Sequence, residues 1–336
     1  MKVACFTSAS LNYLDRVRVL FETVREFHPE WKTCLCLVDQ EPEKFELDLS
    51  RENIDYVFKA CDLEIPEFAS WAFEHDIIEL CTAVKGQMLC QLLDQGYDKV
   101  IYLDPDTALF GRLDEVLDLL DRHSVVLTPH QIAPDTLKSA IVDNEMGSLK
   151  YGIFNLGFAA VRNVEGGRRF AQWWRDRLSD FCFDEIDRGL FTDQKWCNHA
   201  PVFFPDLAIL RHKGYNVASW NLSQRAIHID PDGLITAGGD ELKFFHFTKV
   251  THVGEIMLAR YAGDRADVFE LMHWYKAKLV GHMVRGLPDR WWHYDSYSNG
   301  QKITPADRLA HRSARARGLH LANPFSSARP IGAVEG

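Results

Sequence analysis

Lys99-Val100-Ile101-Tyr102-Leu103-Asp104-Pro105-Asp106 is the stretch on which the reading of the fold turns. Its apolar run reads as a strand buried on both faces, as in the middle of a parallel sheet. Pro105 has no N–H to give to a ladder, so the strand ends there and the two carboxylates lie on the turn that leaves it. In an open α/β sheet that edge is where ligands bind. Two carboxylates one residue apart can face one cation together. A hard divalent ion such as Mn²⁺ or Mg²⁺ takes oxygen ligands, and a diphosphate completes its shell. A phosphohydrolase of the haloacid-dehalogenase type also has an aspartate pair after a buried strand. That pattern wants Thr or Val four residues after the first Asp and a place at the first strand, whereas Ala108 stands there and the pair lies mid-chain.

Outward from this stretch the first half alternates strand-like and helical runs, the mark of a layered α/β sheet. Val3–Thr7, Thr33–Val38, Asp55–Phe58 and Val125–Thr128 read as strands, and Asp15–Phe27, Asp76–Gln95 and Asp114–Arg122 as helices. Gly96 supplies the stop after the second helix. In the less regular second half, Ile153–Val161, Ala226–Ile229 and Leu242–Phe247 read as strands. Gly167–Leu178 and Asp264–Met283 read as helices, as does the short Thr192–His199 with Thr192 as its cap. The last dozen residues are expected to be loosely ordered.

Composition narrows the function. The 336 residues are 46% apolar and 26% charged, ample for a core. Net charge is −10, but residues 270–336 carry 10 Lys/Arg against 5 Asp/Glu, leaving the body strongly acidic. An acidic body excludes general nucleic-acid binding, which needs a broad basic footprint. The basic tail, with Trp274, Trp291 and Trp292, suits an anionic membrane surface or a helical appendage packed on the body. No apolar run is long enough to span a bilayer, and the start is too short for a signal peptide. Eight cysteines without a C-x-x-C pair read as free thiols in a reducing, cytoplasmic compartment.

Two further residues carry chemistry. On a helical wheel Ile78, Cys81, Met88, Leu89 and Leu92 form one apolar arc, with Lys85 in its middle. A lysine there snorkels or meets an anion, the phosphate or sugar of a ligand beside the aspartates. His246, near the end of Leu242–Phe247, is a candidate third metal ligand or a hydrogen-bonded core histidine.

Leu103-Asp104-Pro105-Asp106, Phe154-Asn155-Leu156-Gly157, Asp193-Gln194 with Asn198, and His246-Phe247-Thr248 follow one another in order. Together they resemble the retaining glycosyltransferases of family 8 and their relatives, over roughly residues 1–250. The resemblance implies the GT-A fold: an α/β domain over 1–260, its mixed central sheet flanked by helices on both faces, then a helical, basic extension over 261–336. It implies that Asp104, Asp106 and His246 bind Mn²⁺, which holds the diphosphate of a nucleotide-sugar donor, UDP-sugar favoured. Thr7, Ser8 and the residues to Ser10 would cradle base and ribose, and Asn155 with Gly157 would meet the donor sugar. Asp193 would bond sugar hydroxyls, with Gln194 near the anomeric carbon. The Lys-Pro-Trp usual after the histidine is missing, and Lys249 stands nearest to that role.

Acceptor recognition is expected in Asp62–His75, with Phe68, Trp71 and Phe73, and in His130–Tyr151; Asn216, Trp220 and Asn221 also border the site. The acceptor is a glycan, a lipid-linked sugar or a protein. Three other readings stay open: a sugar-1-phosphate nucleotidyltransferase, which lacks its Gly-rich N-terminal loop here; a self-glycosylating primer with Tyr294 or Tyr297 as acceptor; and a non-catalytic carbohydrate- or lipid-binding scaffold.

Overall fold

The computed structural model describes residues 1–250, 252–263, 265–319 and 323–326. Along the chain run β1 (Val3–Ala9), β2 (Lys32–Leu37), β3 (Tyr56–Lys59), β4 (Lys99–Leu103), β5 (Thr107–Leu109), β6 (Val125–Pro129), β7 (Phe154–Arg162) and β8 (Leu207–Ile209). Four short strands follow: β9 (Ile227–Ile229), β10 (Ile235–Ala237), β11 (Asp240–Glu241) and β12 (Phe244–His246). The main sheet has the order β3-β2-β1-β4-β7-β6-β8. Strands β1 to β4 are mutually parallel, and β7 runs antiparallel to both β4 and β6. The expected mixed α/β sheet is therefore the one observed. Every residue of β1 and β4 is buried, as their unbroken apolar runs demand.

Helices cover both faces of this sheet. On one side Ile77–Asp94 and Glu165–Phe181 pack Met88, Leu92, Phe170 and Trp174 against Phe6 and Tyr102. These helices meet backbone to backbone, since a Cβ on Gly86 would lie 2.5 Å from the Arg175 Cα. On the other side Leu14–Phe27 and Asp114–Arg122 bury Val17, Phe21, Val116 and Leu120 against Ile101 and Phe158. The Ile77–Asp94 helix starts in a capping box, with Asp76 accepting from Ile78 N and Glu79 N and Glu79 returning to Asp76 N. Its first turn projects past the core, so Ile78 is 68% exposed and not part of the expected apolar arc.

The C-terminal part folds back on the body. Helix Asp267–Gly281 lays Val268, Leu271, Met272 and Tyr275 against Val19, Phe245 and Phe247, with Tyr275 stacked on Phe247 at 4.0 Å. A helix that the sequence reading missed, Pro305–Ala316, begins with Thr304 and Asp307 in a second capping box and Pro305 at its first turn. From it the buried Arg308 donates to the carbonyls of Phe73, His75 and Tyr294. Tyr294 and Tyr297 are consequently only 4% and 7% exposed, which removes them as the surface acceptors a self-glycosylating primer needs. The tryptophans are likewise turned inward. Trp274 packs on Phe110, the Trp291 indole N–H donates to Gln40 O at 2.9 Å, and Trp292 is buried. Trp274 and Trp291 are half-buried by these contacts. Trp71 and Phe73 are core residues too, and Phe68 is half-buried beside Trp71 and Tyr294. The expected loose end lies almost wholly outside the described residues. Among the described residues no helix is long and apolar enough to cross a membrane, and all eight cysteines are unpaired.

Candidate active site

The two aspartates sit where β4 turns into β5. Thr107 closes the turn by donating its N–H and its hydroxyl to Asp104 O, at 3.1 and 2.8 Å. The Asp104 N–H is anchored on Gly157 O at 2.9 Å. Strand β5 then pairs antiparallel with β12, opposing Leu109 to Phe244 and Thr107 to His246. One further bond, Phe247 N to Asp106 O at 2.7 Å, fixes the register. A three-residue ladder thus carries a histidine 140 positions away onto the aspartate turn. His246 Nε2 lies 3.0 Å from Asp106 Oδ1 and 3.7 Å from Asp104 Oδ2. Ligand atoms of all three residues fall within 4.8 Å of one another.

Asp106 and His246 hold each other in their charged forms. Burial alone would raise the Asp106 carboxyl and lower the His246 imidazole; facing each other, they outweigh it. Asp106 is held below the usual carboxylate range and His246 above the usual imidazole range. Two carboxylate oxygens and one imidazole nitrogen make a donor set suited to Mn²⁺ or Mg²⁺, with Mn²⁺ the better match for nitrogen. Glycine at 157 is what makes room for the ring. A Cβ there would stand 2.6 Å from His246 Cε1, 2.7 Å from Nδ1 and 2.8 Å from Asn155 Oδ1. Gly157→Ala is therefore expected to cost about 1–3 kcal/mol by overpacking and to weaken divalent-ion binding. Urea denaturation and Mn²⁺ calorimetry check both; unchanged ion affinity would show that His246 is not held by this contact.

Lys85 lies beneath the aspartates, 2% exposed. Its ammonium donates to Asp193 Oδ2 at 2.9 Å, Asp104 Oδ1 at 3.2 Å and Leu156 O at 3.3 Å, and sits 4.2 Å from the Tyr102 ring centre. Burial would lower its pKa, but Asp104 and Asp193 outweigh this and hold it well above the lysine range. All three ammonium hydrogens have acceptors within the protein. Asp104 also accepts from the Tyr102 hydroxyl at 2.5 Å, and that hydroxyl lies 3.4 Å from Ser8 Oγ, whose proton goes to Cys81 O at 2.6 Å. Sequence reasoning did not assign Tyr102 a role. Its place two residues before Asp104, on the same face of the strand, was the available signal.

A second network adjoins the first. The Asn155 side chain accepts from Gly157 N at 3.1 Å and Asn216 Nδ2 at 2.9 Å. Its amide lies 3.4 Å from Gln194 Oε1 and 3.3 Å from His130 Nε2. Gln194 accepts from Leu156 N at 3.2 Å and donates to Tyr151 O at 3.1 Å. Burial pushes His130 down to about 4, so its ring is neutral at physiological pH. Thr192 does not cap a helix: it has φ of 43° and its hydroxyl turns to Asp193 Oδ1 at 3.2 Å. The helix there is a 3₁₀ turn over Lys195–His199. Of the residues singled out from the sequence, Lys85, Asp104, Asp106, Asn155, Gly157, Asp193, Gln194 and His246 converge at this edge. Ser8 joins them through Tyr102, and Trp220 stands edge-on to His246 with ring centres 5.2 Å apart. Thr7 is buried in β1 with its hydroxyl unpartnered. Lys249 is exposed three residues beyond His246, with φ of 54°.

No protein-family model matches the chain. It is similar to the uncharacterized protein YfnF of Bacillus subtilis (strain 168), 22% identical over 260 residues that make up 76% of this chain and 85% of that one. YfnD of the same organism is 23% identical over 253 residues, 74% of this chain and 78% of the relative. Among solved structures it is similar to the galactosyltransferase LgtC in complex with donor and acceptor sugar analogs, at a TM-score of 0.48 and 16% identity over 86% of this chain and 98% of that one. The glycosyltransferase GlyE of Streptococcus pneumoniae TIGR4, in its apo form, gives a TM-score of 0.45 at 16% identity over 83% of this chain and 64% of the other.

Proposed function

We propose that this chain is a divalent-metal-dependent glycosyltransferase of the GT-A kind. It moves a sugar from a nucleoside-diphosphate donor, UDP-sugar favoured, to a glycan, lipid-linked or protein acceptor, with retention of configuration. The observation that carries the reading is the convergence of Asp104, Asp106 and His246 within 4.8 Å, at the ligand-binding edge of the sheet and beside the Lys85–Asp193 pair. The ordered motifs of the sequence support it independently.

Asp104, Asp106 and His246 would hold the metal, which supplies charge to neutralise the departing diphosphate. Lys85 acts through the carboxylates it holds: it fixes the rotamers of Asp104 and Asp193, and it opposes the burial that raises the Asp193 carboxyl above the usual carboxylate range. Asp193 would accept hydrogen bonds from sugar hydroxyls. Gln194, its carboxamide pinned between Leu156 N and Tyr151 O, presents a weak nucleophile to the anomeric face. Attack on the face the diphosphate leaves, through an oxocarbenium-like state, fits that better than a covalent enzyme intermediate does. Thr7 and Ser8, on the strand beside the aspartates, would serve the nucleotide end through the chain around them, and Lys249 would serve the phosphates.

A thermal-shift screen of UDP, GDP, CDP and their sugars, with and without Mn²⁺, tests this on wild type and Asp106→Ala. A ligand at about 100 times its dissociation constant adds about 2.7 kcal/mol to the folded state, readily seen as a higher melting temperature. The expected result is a shift for one nucleotide that needs both the metal and Asp106. No shift with any nucleotide would sink the donor site and leave the non-catalytic scaffold ahead.

A further inference from the structure

The order of the main sheet places β1 between β2 and β4. From β1 the chain goes to β2 and β3 on one side before it returns as β4 on the other. The loops leaving the carboxyl ends of β1 and β4 therefore diverge. A crevice opens between them, the place where open α/β sheets take a ligand. One lip of it is the aspartate turn, and the other is the 3₁₀ turn Leu11–Tyr13. Tyr13 is 42% exposed there, with the Arg16 guanidinium 4.3 Å from its ring centre. Burial, with Asp106 among the charges around it, pushes the Tyr13 phenol up, so the turn and the aspartates share one electrostatic neighbourhood.

What holds this turn is remote in the sequence. Asp39, just past β2 and 1% exposed, accepts from Leu11 N at 3.2 Å with Oδ2. Its Oδ1 accepts from Gln40 N and from His293 N, both at 2.9 Å. Burial pushes this carboxyl up to about 6 against the pull of the three N–H groups. Near neutral pH it is therefore the acceptor-only carboxylate that three donors need. Around it Asn12 Nδ2 donates to Trp291 O, Trp291 Nε1 to Gln40 O at 2.9 Å, and Gln40 Nε2 to the Tyr294 hydroxyl at 3.3 Å. Residues 291–294 are thus tied to the turn twice, through the Asp39 carboxylate and directly at Asn12.

We propose that Asp39 is a positioning residue for the donor: it fixes the turn Leu11–Tyr13 against residues 291–294, so that the C-terminal extension completes the nucleotide lip of the crevice. The role in donor binding rests on the glycosyltransferase reading; the tie between the turn and the C-terminal segment does not. A turn left free has to be ordered by the ligand, and apparent affinity falls with the fraction of molecules that hold the competent form. Metal binding at the opposite lip needs no such ordering. Asp39→Asn is the sharpest probe of this. The amide has the shape of the carboxylate but one acceptor oxygen, so its NH₂ faces either Leu11 N–H or the Gln40 and His293 pair.

Three variants of the full chain test it. They are Asp39→Asn; Trp291→Phe, which keeps a ring and loses the N–H on Gln40 O; and Leu120→Ala, a cavity in the core beneath the Asp114–Arg122 helix, as control. Amide hydrogen exchange is followed without ligand at Leu11–Tyr13 and at His293, and calorimetry gives the affinities for Mn²⁺ and for UDP in Mn²⁺. In Asp39→Asn exchange at the turn is expected to quicken and Mn²⁺ affinity to stay unchanged. UDP should bind roughly tenfold more weakly, the result of a competent turn held by about a tenth of the molecules. Trp291→Phe should move exchange and UDP affinity the same way by less, and Leu120→Ala should move neither although it melts earlier. Unchanged exchange in Asp39→Asn would overturn the proposal, as would an equal change in Leu120→Ala, which would make Asp39 merely structural. Quicker exchange with wild-type UDP affinity would overturn it too, by separating the turn from the nucleotide. Wild type that takes up no UDP would remove the role in donor binding together with the glycosyltransferase reading. The exchange arm uses no nucleotide and decides the tie by itself.

Discussion

Lys85→Met is expected to lower folding stability by about 3–5 kcal/mol near neutral pH, the cost of leaving a buried charge without its partner. The lysine and Asp193 side chains are 3% and 4% exposed, and their ion pair is 2.9 Å long. Methionine fills the volume of the lysine stem but leaves the Asp193 carboxylate in a dry site with only the Thr192 hydroxyl facing it. The destabilisation then depends on pH in a defined sense. In the variant the uncompensated Asp193 has a folded-state pKa above its unfolded value, so the folded state favours the proton. Stability is retained below the unfolded pKa, about 4, and is lost as pH rises through the folded value. The gap between wild type and variant should therefore narrow as the pH is lowered. Adding Asp193→Asn to Lys85→Met should recover most of the loss, because the charge that suffered is gone. Urea denaturation of the two single variants and the pair, at two pH values, gives the whole cycle. A Lys85→Met protein within about 1 kcal/mol of wild type at neutral pH would show that solvent reaches the pair and that Lys85 is not a buried organiser of the site.

The sequence told most where the determinant is local. The apolar run into Asp104-Pro105-Asp106 ends as a strand at the sheet edge because proline cannot extend a ladder. The placing of Lys85 also followed from local periodicity, since an inward lysine in an apolar helix demands an anion, and two are present. The same periodicity misplaced Ile78, because a helical wheel does not know where the neighbouring layer stops. His246 could be joined to the aspartates only by analogy. The β5–β12 ladder that brings it there is three residues long on each side, too short for any alternation to show. The C-terminal part was legible least. The placing of Tyr294, Tyr297 and Trp291 is decided by contacts with Gln40 and Phe73, more than 200 residues away. The Pro305–Ala316 helix, by contrast, was announced by Thr304, Pro305 and Asp307, and the surrounding Arg and Ser composition hid a readable start signal.

Asp106→Asn is expected to lower kcat/KM for sugar transfer by about 10³-fold while leaving the fold in place, the scale seen when one stabilising group for developing charge is removed. Asparagine has the shape of aspartate, so the turn to β5 and the backbone bond from Phe247 N to residue 106 are kept. Its Oδ1 can still face His246 Nε2, as the carboxylate does at 3.0 Å. What is lost is one negative charge out of the two that Asp104 and Asp106 bring together. A neutral amide is a poor ligand for a hard divalent ion, so the diphosphate would meet Asp104 and Asp106→Asn without its counter-charge. The melting temperature of the variant should stay close to that of wild type without metal, and the Mn²⁺-dependent part of the nucleotide shift should vanish. A variant that keeps wild-type turnover and still needs Mn²⁺ would move the metal away from this turn, and His246 with it. If turnover falls while the Mn²⁺-dependent nucleotide shift survives, Asp106 acts on the transition state alone and Asp104 with His246 suffices to hold the ion.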